Sequence, residues 1–137
     1  MHDFKINFLD HVAIRVSDVD KSAQWYHEVL GLDIVHKTEW GPFPIMLLKG
    51  KSGIALFPAN IDDPKIPDSR NIKIDHFAFN VDFKEYAKAI EYFKKQGIAF
   101  EEQDHYHFQS AYISDPDGHK VELTTLKPEF DGFYKGI

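Results

Sequence analysis

Three side chains spaced along this chain have the chemistry to hold a divalent metal: His11, His76 and Glu122. Two neutral imidazoles and one carboxylate suit a first-row divalent ion. Three protein ligands also leave coordination positions for water or substrate, which a catalytic metal needs. The two histidines sit in matching contexts. Asp10-His11 opens the segment DHVAIRV and Asp75-His76 opens DHFAFNV, so Asp, His, Ala and Val recur at an offset of 65 residues. Glu122 lies in HKVELTT, the last strand-like segment. Taken singly, each His reads as structural and the Glu as a half-exposed strand carboxylate. A buried carboxylate with neither partner nor metal is costly, and three ligand types at repeat-related positions point to one site.

The elements that must position these residues also repeat. Val12, Ile14 and Val16 alternate with His11, Ala13 and Arg15, the pattern of a strand with one buried face. Val19, Ala23, Tyr26 and Leu30 then carry helical spacing. Asp18 or Ser17 caps the start, and Gly31 ends the helix in the left-handed conformation. Strands are expected near 33–39, 45–49 and 54–57, with a turn at GKSG (50–53). In the second copy Phe77, Phe79 and Val81 share a strand face, and Phe83, Tyr86, Ile90 and Phe93 form a helix stripe that Gly97 stops. Strands near 98–103, 108–114 and 120–125 follow, with a turn at DPDG (115–118). The fold class is therefore α+β: two tandem βαβββ modules forming curved mixed sheets around a metal-binding cleft. With each helix covering the opposite face, His11, Ala13, His76, Ala78, Asn80, Glu122 and Thr124 look into the concavity. Aligning GIALF with HKVEL puts Ala55 at the position equivalent to Glu122, so one of four inward ligand positions is empty.

The chain is expected to be a single domain, with module one at 7–58, a linker at 59–72, module two at 73–126 and a C-terminal tail at 127–137. Residues 58–72 hold three of the seven prolines and no periodicity. In the tail, Phe130, Phe133 and Tyr134 imply docking. At 137 residues the chain can bury a core without staples, and without cysteine it has no disulfide, zinc-thiolate site or thiol nucleophile. The formal charge of -6 argues against nucleic acid as a partner. No apolar run approaches a membrane span, and MHDFKINFLDH is too polar for a signal peptide, so the expected location is cytoplasmic.

DHVAIRVSDVDKSAQWYHEVLGL (10–32) and DPDGHKVEL (115–123) resemble the opening and closing motifs of the vicinal-oxygen-chelate superfamily. That group includes glyoxalase I, extradiol dioxygenases, fosfomycin-resistance enzymes and bleomycin-resistance proteins. The resemblance runs from about residue 7 to 126. Its ligand positions fall on His11, Ala55, His76 and Glu122. The vacancy at Ala55 departs from glyoxalase I, whereas the His, His, Glu set matches the dioxygenases and fosfomycin enzymes. The dioxygenase signature is similar to His105, Tyr112, Asp115-Pro116-Asp117-Gly118 and Glu122 in order, with Ala111 departing from a bulky apolar residue. Fosfomycin enzymes carry Thr where this chain has Ala13, and cationic residues that DHYHFQS (104–110) lacks.

The resemblance thus implies an extradiol-type ring-cleaving dioxygenase. The alternatives are a Lewis-acid lyase, isomerase or thiol transferase, or a metal-free small-molecule binding protein. It implies one divalent metal, Fe(II) before Mn(II), Ni(II), Co(II) or Zn(II), a small-molecule substrate and a homodimer. His105 or His107 would serve as acid and base, and Tyr112 would donate to an oxyanion. Ala13, Trp40, Phe43, Met46, Leu48, Ala55, Phe57 and Asn80 would line the substrate pocket.

Overall fold

The computed structural model describes residues 2–136. They divide into two compact units, Met1–Pro67 and Asp68–Ile137, each a four-stranded mixed sheet with one helix against it.

In the first unit the elements are β1 (His11–Val16), α1 (Val19–Leu30), β2 (Asp33–Val35), β3 (Ile45–Lys49) and β4 (Ser52–Pro58). The sheet order is β1-β4-β3-β2, with β1 parallel to β4 and the other pairs antiparallel. Asp18 caps α1 by accepting from the Lys21 amide, and Gly31 closes it at φ 68. Ser22, Ala23 and Tyr26 are the buried stripe of α1. It covers the sheet face that carries Val16, Leu47, Ile54 and Leu56, all 1% exposed or less. Gly53 is required by close approach rather than by its dihedrals. A Cβ there would lie 1.9 Å from the Leu47 carbonyl oxygen.

The second unit repeats the plan with β5 (Phe77–Asn80), α2 (Phe83–Gln96), β6 (Glu101–Asp104), β7 (Phe108–Ser114) and β8 (Lys120–Leu126), in the order β5-β8-β7-β6. Tyr86, Ile90 and Phe93 are the buried side of α2. They pack against the face of Ala111, Ile113, Val121 and Leu123. The register is equivalent in the two units: Ala13 pairs with Ala55 as Ala78 pairs with Glu122. Ala55 on β4 and Glu122 on β8 therefore occupy equivalent positions of equivalent strands.

Three sequence expectations need correction. Residues 36–39 are not strand: β2 stops at Val35, and a 3-10 turn forms at Thr38–Trp40. There the His36 ring meets the Gly41 carbonyl at 2.6 Å and Gly41 takes φ 75, so the chain turns before Pro42. Residues 98–100 are not strand either. The Ile98 amide donates to the Phe93 carbonyl as part of the α2 C-cap, which delays β6 to Glu101. Phe83 is 51% exposed at the start of α2 instead of joining its buried stripe. The tail does dock. It forms 3-10 turns at Pro128–Phe130 and Phe133–Gly136, and Phe133 and Tyr134 pack on Phe108 with ring centroids 4.9 and 6.0 Å away.

Candidate metal centre

In the second unit the turn sets the site. Asp115 is 5% exposed, and its Oδ1 accepts from the amides of Asp117 and His119 at 2.9 and 2.8 Å. Gly118 takes φ 88 to close that turn. The closed turn fixes the β7–β8 register, in which Tyr112 pairs with Glu122 and Ser114 with Lys120. Glu101 on β6 pairs with Tyr112 and Ala78 on β5 with Glu122, so Ala78, Glu122, Tyr112 and Glu101 form one row across the sheet. The row lies on the face away from α2, because Val121 and Leu123 occupy the other.

Glu122 is 7% exposed, and its Oε1 lies 2.8 Å from His76 Nε2. The other ring nitrogen of His76, Nδ1, is 2.7 Å from Asp75 Oδ2. One imidazole thus faces a carboxylate at each nitrogen. A neutral imidazole has a single N–H, so a cation, proton or metal, belongs between His76 and Glu122. The hydrogen bond from His76, then the charge of Lys120, hold the Asp75 carboxyl below its ordinary range. The His76 ring stands edge-on to Tyr112 at 5.6 Å. Burial first, then the charge and hydrogen bond of Glu122 and the charge of Asp75, push the Tyr112 phenol above its ordinary value. The phenol therefore stays protonated and is a donor. Its oxygen also lies 2.9 Å from His105 Nε2. The left-handed Tyr106 (φ 68) and the Tyr106 amide bond to Asp104 Oδ1 fold the β6–β7 turn so that His105 reaches back to Tyr112.

His107 is placed elsewhere. Its ring packs against Phe130 and Phe133 of the tail, at 4.6 and 5.3 Å between centroids. Asn80 lies one row from Glu122, paired with Thr124, and Thr124 accepts from Ser110 Oγ at 2.8 Å.

In the first unit His11 repeats the Asp–His arrangement, with Nδ1 2.8 Å from Asp10 Oδ1. The chain entering β1 is pinned by the Leu9 carbonyl, which accepts from Ser52 Oγ, and by the Asp10 carbonyl, which accepts from the Gly53 amide. Ala13, Ala55 and Met46 form the row equivalent to Ala78, Glu122 and Tyr112, and Leu48 and Phe57 share their face. Phe43 meets Phe57 edge-on at 6.1 Å, while Trp40 sits in the 3-10 turn, 41% exposed. Among the described residues, no group of three or more His, Asp or Glu is arranged to hold a metal.

Sequence reasoning passed over Lys120 and Glu101, and took Asp10 and Asp75 only as markers of strand starts. Lys120 stands two residues before Glu122 on β8 and so shares its face, a signal that strand alternation alone carries.

A family profile described as the Glyoxalase/Bleomycin resistance protein/Dioxygenase superfamily matches residues 8–123. The chain belongs to this superfamily. Among other superfamily proteins, it is 31% identical to a metallothiol transferase FosB of Staphylococcus epidermidis, over 96% of this chain and 91% of that one. It is 29% identical to the glutathione transferase FosA of Serratia marcescens, over 84% of this chain and 78% of that one. It is 26% identical to a catechol-2,3-dioxygenase of Bacillus subtilis, over 88% of this chain but 42% of the dioxygenase. A glyoxalase/dioxygenase structure from Nostoc punctiforme shares the fold, with a TM-score of 0.72 at 19% identity over 93% of this chain and 99% of that one. Among the described residues, no helix is long and apolar enough to cross a membrane.

Proposed function

We propose that this chain is a metal-dependent enzyme acting on a small molecule that chelates the metal through two neighbouring oxygens, and that its reaction is extradiol-type cleavage of a catechol. The observation that carries the reading is the continuous chain of contacts His76–Glu122–Tyr112–His105 on one sheet face. The donor set fits a divalent metal. Ligand atoms about 2.1 Å from a metal and at right angles to each other lie roughly 3 Å apart. His76 Nε2 and Glu122 Oε1 are 2.8 Å apart, and Asp75 occupies the other nitrogen of the ring. The sequence repeat offers His11, which Asp10 meets at 2.8 Å as Asp75 meets His76, as the third ligand of this reading. Fe(II) suits the redox reaction; Mn(II), Ni(II), Co(II) and Zn(II) suit the same donors without it.

When bound, the metal supplies a Lewis acid that holds both substrate oxygens and, if it is iron, the redox partner for dioxygen. The residues of the chain do the rest. Tyr112, kept neutral by its surroundings, donates to an oxyanion as charge develops there. His105, within hydrogen-bond reach of Tyr112, takes or returns a proton through the phenol oxygen. Ala13, Ala55, Met46, Leu48 and Phe57 offer an apolar face for the body of the substrate.

A second reading, thiol transfer to a chelating substrate, is favoured by the near full-length identity to a metallothiol transferase. It keeps the same ligands and needs no oxygen.

The test begins with metal content by mass spectrometry, on wild type and Glu122→Ala purified without chelators or a nickel column. Near-stoichiometric metal in wild type, lost in a folded mutant, is expected. Oxygen uptake with a catechol panel on the iron-loaded protein then supports ring cleavage, and turnover under argon with a thiol supports transfer. Absence of metal from both proteins, even after reconstitution, would overturn the metalloenzyme reading in favour of a binding protein.

A further inference from the structure

A cleft of about 490 Å³ in the second unit is lined by Ala99, Phe100, Glu101, Tyr112, Ser114 and Lys120 among others, and its Tyr112 ring stands 5.6 Å from that of His76. Three features give it a definite chemistry. Its lining is partly aromatic and aliphatic, from Tyr112, Ala99 and the edge of Phe100. Its cation is Lys120, whose ammonium stands 5.9 Å from the centre of the Tyr112 ring. The Ser114 hydroxyl lies on the strand position directly opposite Lys120. Lys120 is also two positions from Glu122 on the same face of β8, a separation of roughly 6.8 Å along a strand. That is about the length of a benzene ring with one substituent.

We infer that Lys120, with Ser114, reads an acidic substituent on the substrate, so that the preferred substrate is an aromatic vicinal diol bearing a carboxylate. The inference rests on the chelation reading above and adds the substrate class to it. The ring lies on Tyr112, its diol oxygens point toward His76 and Glu122, and its carboxylate points toward the ammonium. An exposed lysine contributes little alone. A lysine held over an aromatic ring beside a hydroxyl loses less freedom on pairing and sheds water from one side. Glu101 lines the β6 side of the same cleft and repels an anion there. It confines the carboxylate to the Lys120–Ser114 side and disfavours diols with two acidic groups.

The inference is tested by calorimetric titration of the Fe(II)-loaded protein under argon with matched pairs: 4-methylcatechol against 3,4-dihydroxybenzoate, and 4-ethylcatechol against 3,4-dihydroxyphenylacetate. Wild type should bind the acid of each pair at least tenfold more tightly. In Lys120→Met that preference should collapse to within twofold, chiefly through weaker binding of the acid of each pair. Lys120→Arg should retain the preference, and Glu101→Gln should increase it. Equal binding of acid and neutral diol by wild type, or a preference that survives in Lys120→Met, overturns the inference and leaves the chelation reading standing. Failure of every diol to bind the metal-loaded protein overturns both.

Discussion

Asp75 offers a direct test of how the histidines are set for metal. Its carboxylate lies 2.7 Å from His76 Nδ1; accepting the Nδ1 proton, it leaves the Nε2 lone pair for the metal proposed between His76 and Glu122. A carboxylate in this position raises the basicity of the ligand and limits ring rotation, and losing such a partner typically weakens metal binding by about 10- to 100-fold. The structure places Asp75 near the lower end of that range. Its side chain is 61% exposed, so water screens the charge, and Lys120 offsets part of it. Asp75→Ala is therefore expected to weaken metal affinity by roughly tenfold. Asp75→Asn, which keeps an acceptor but not the charge, should fall between the two. The Asp10 side chain is more exposed, at 74%, so Asp10→Ala should cost less than Asp75→Ala. Competition against a chromophoric chelator gives the affinities. The ¹⁵N shifts of the His76 ring report the tautomer directly, a readout that a general loss of packing would not move. Metal affinity within twofold of wild type in a folded Asp75→Ala, with an unchanged tautomer, would refute the reasoning.

Three further outcomes follow from the same contacts. The Tyr112 phenol, assigned by subtracting the ultraviolet titration of Tyr112→Phe, should ionise above the ordinary tyrosine value of 10.0. In Glu122→Gln its midpoint should move down, because a negative neighbour is gone while burial remains. Asp104, bonded to Lys127 at the root of the tail, has its carboxyl held below 3.8 by that bond first and by the Tyr106 amide second. A depressed value in the folded state means that the stabilisation is full above 3.8 and lost as pH falls through the folded value. Asp104→Asn should therefore melt below wild type near neutral pH, and the two should converge in strong acid. Gly53→Ala places a methyl against the Leu47 carbonyl and should destabilise the first unit by about 3 kcal/mol, seen as a lowered urea midpoint.

How much of this was legible in the sequence depends on the range of the interactions involved. Gly31 and Gly97 announce the helix ends because a left-handed cap is a local requirement, and both occupy one, at φ 68 and 67. Strand alternation places Glu122 opposite Val121 and Leu123 without knowledge of the rest of the fold. The failures are where a distant or side-chain partner intervenes. His36 bonding to the Gly41 carbonyl ends β2 early, and no periodicity encodes that bond. His105 and His107 are equivalent on paper, two residues apart on one loop. The tail separates them by packing Phe130 and Phe133 around His107, while His105 turns back to Tyr112.

The two modules carry one backbone plan and divide the chemistry unequally. At matching register positions the first has Ala13, Ala55 and Met46, and the second has Ala78, Glu122 and Tyr112. Only the first residue of this row is shared, so the fold constrains the backbone and leaves the side chains free to diverge. The second module can then concentrate the polar groups: a carboxylate, a phenol held neutral, a histidine at its oxygen and a lysine at the rim. The first carries His11 on its Asp–His pair and apolar side chains along the equivalent row. If His11, His76 and Glu122 are the ligands, as proposed, a glutamate at position 55 would add a fourth protein donor and remove a coordination position from the substrate. On the reading advanced here, Ala55→Glu should tighten metal binding and slow turnover together, whereas a merely structural Ala55 would lose stability and leave metal affinity unchanged.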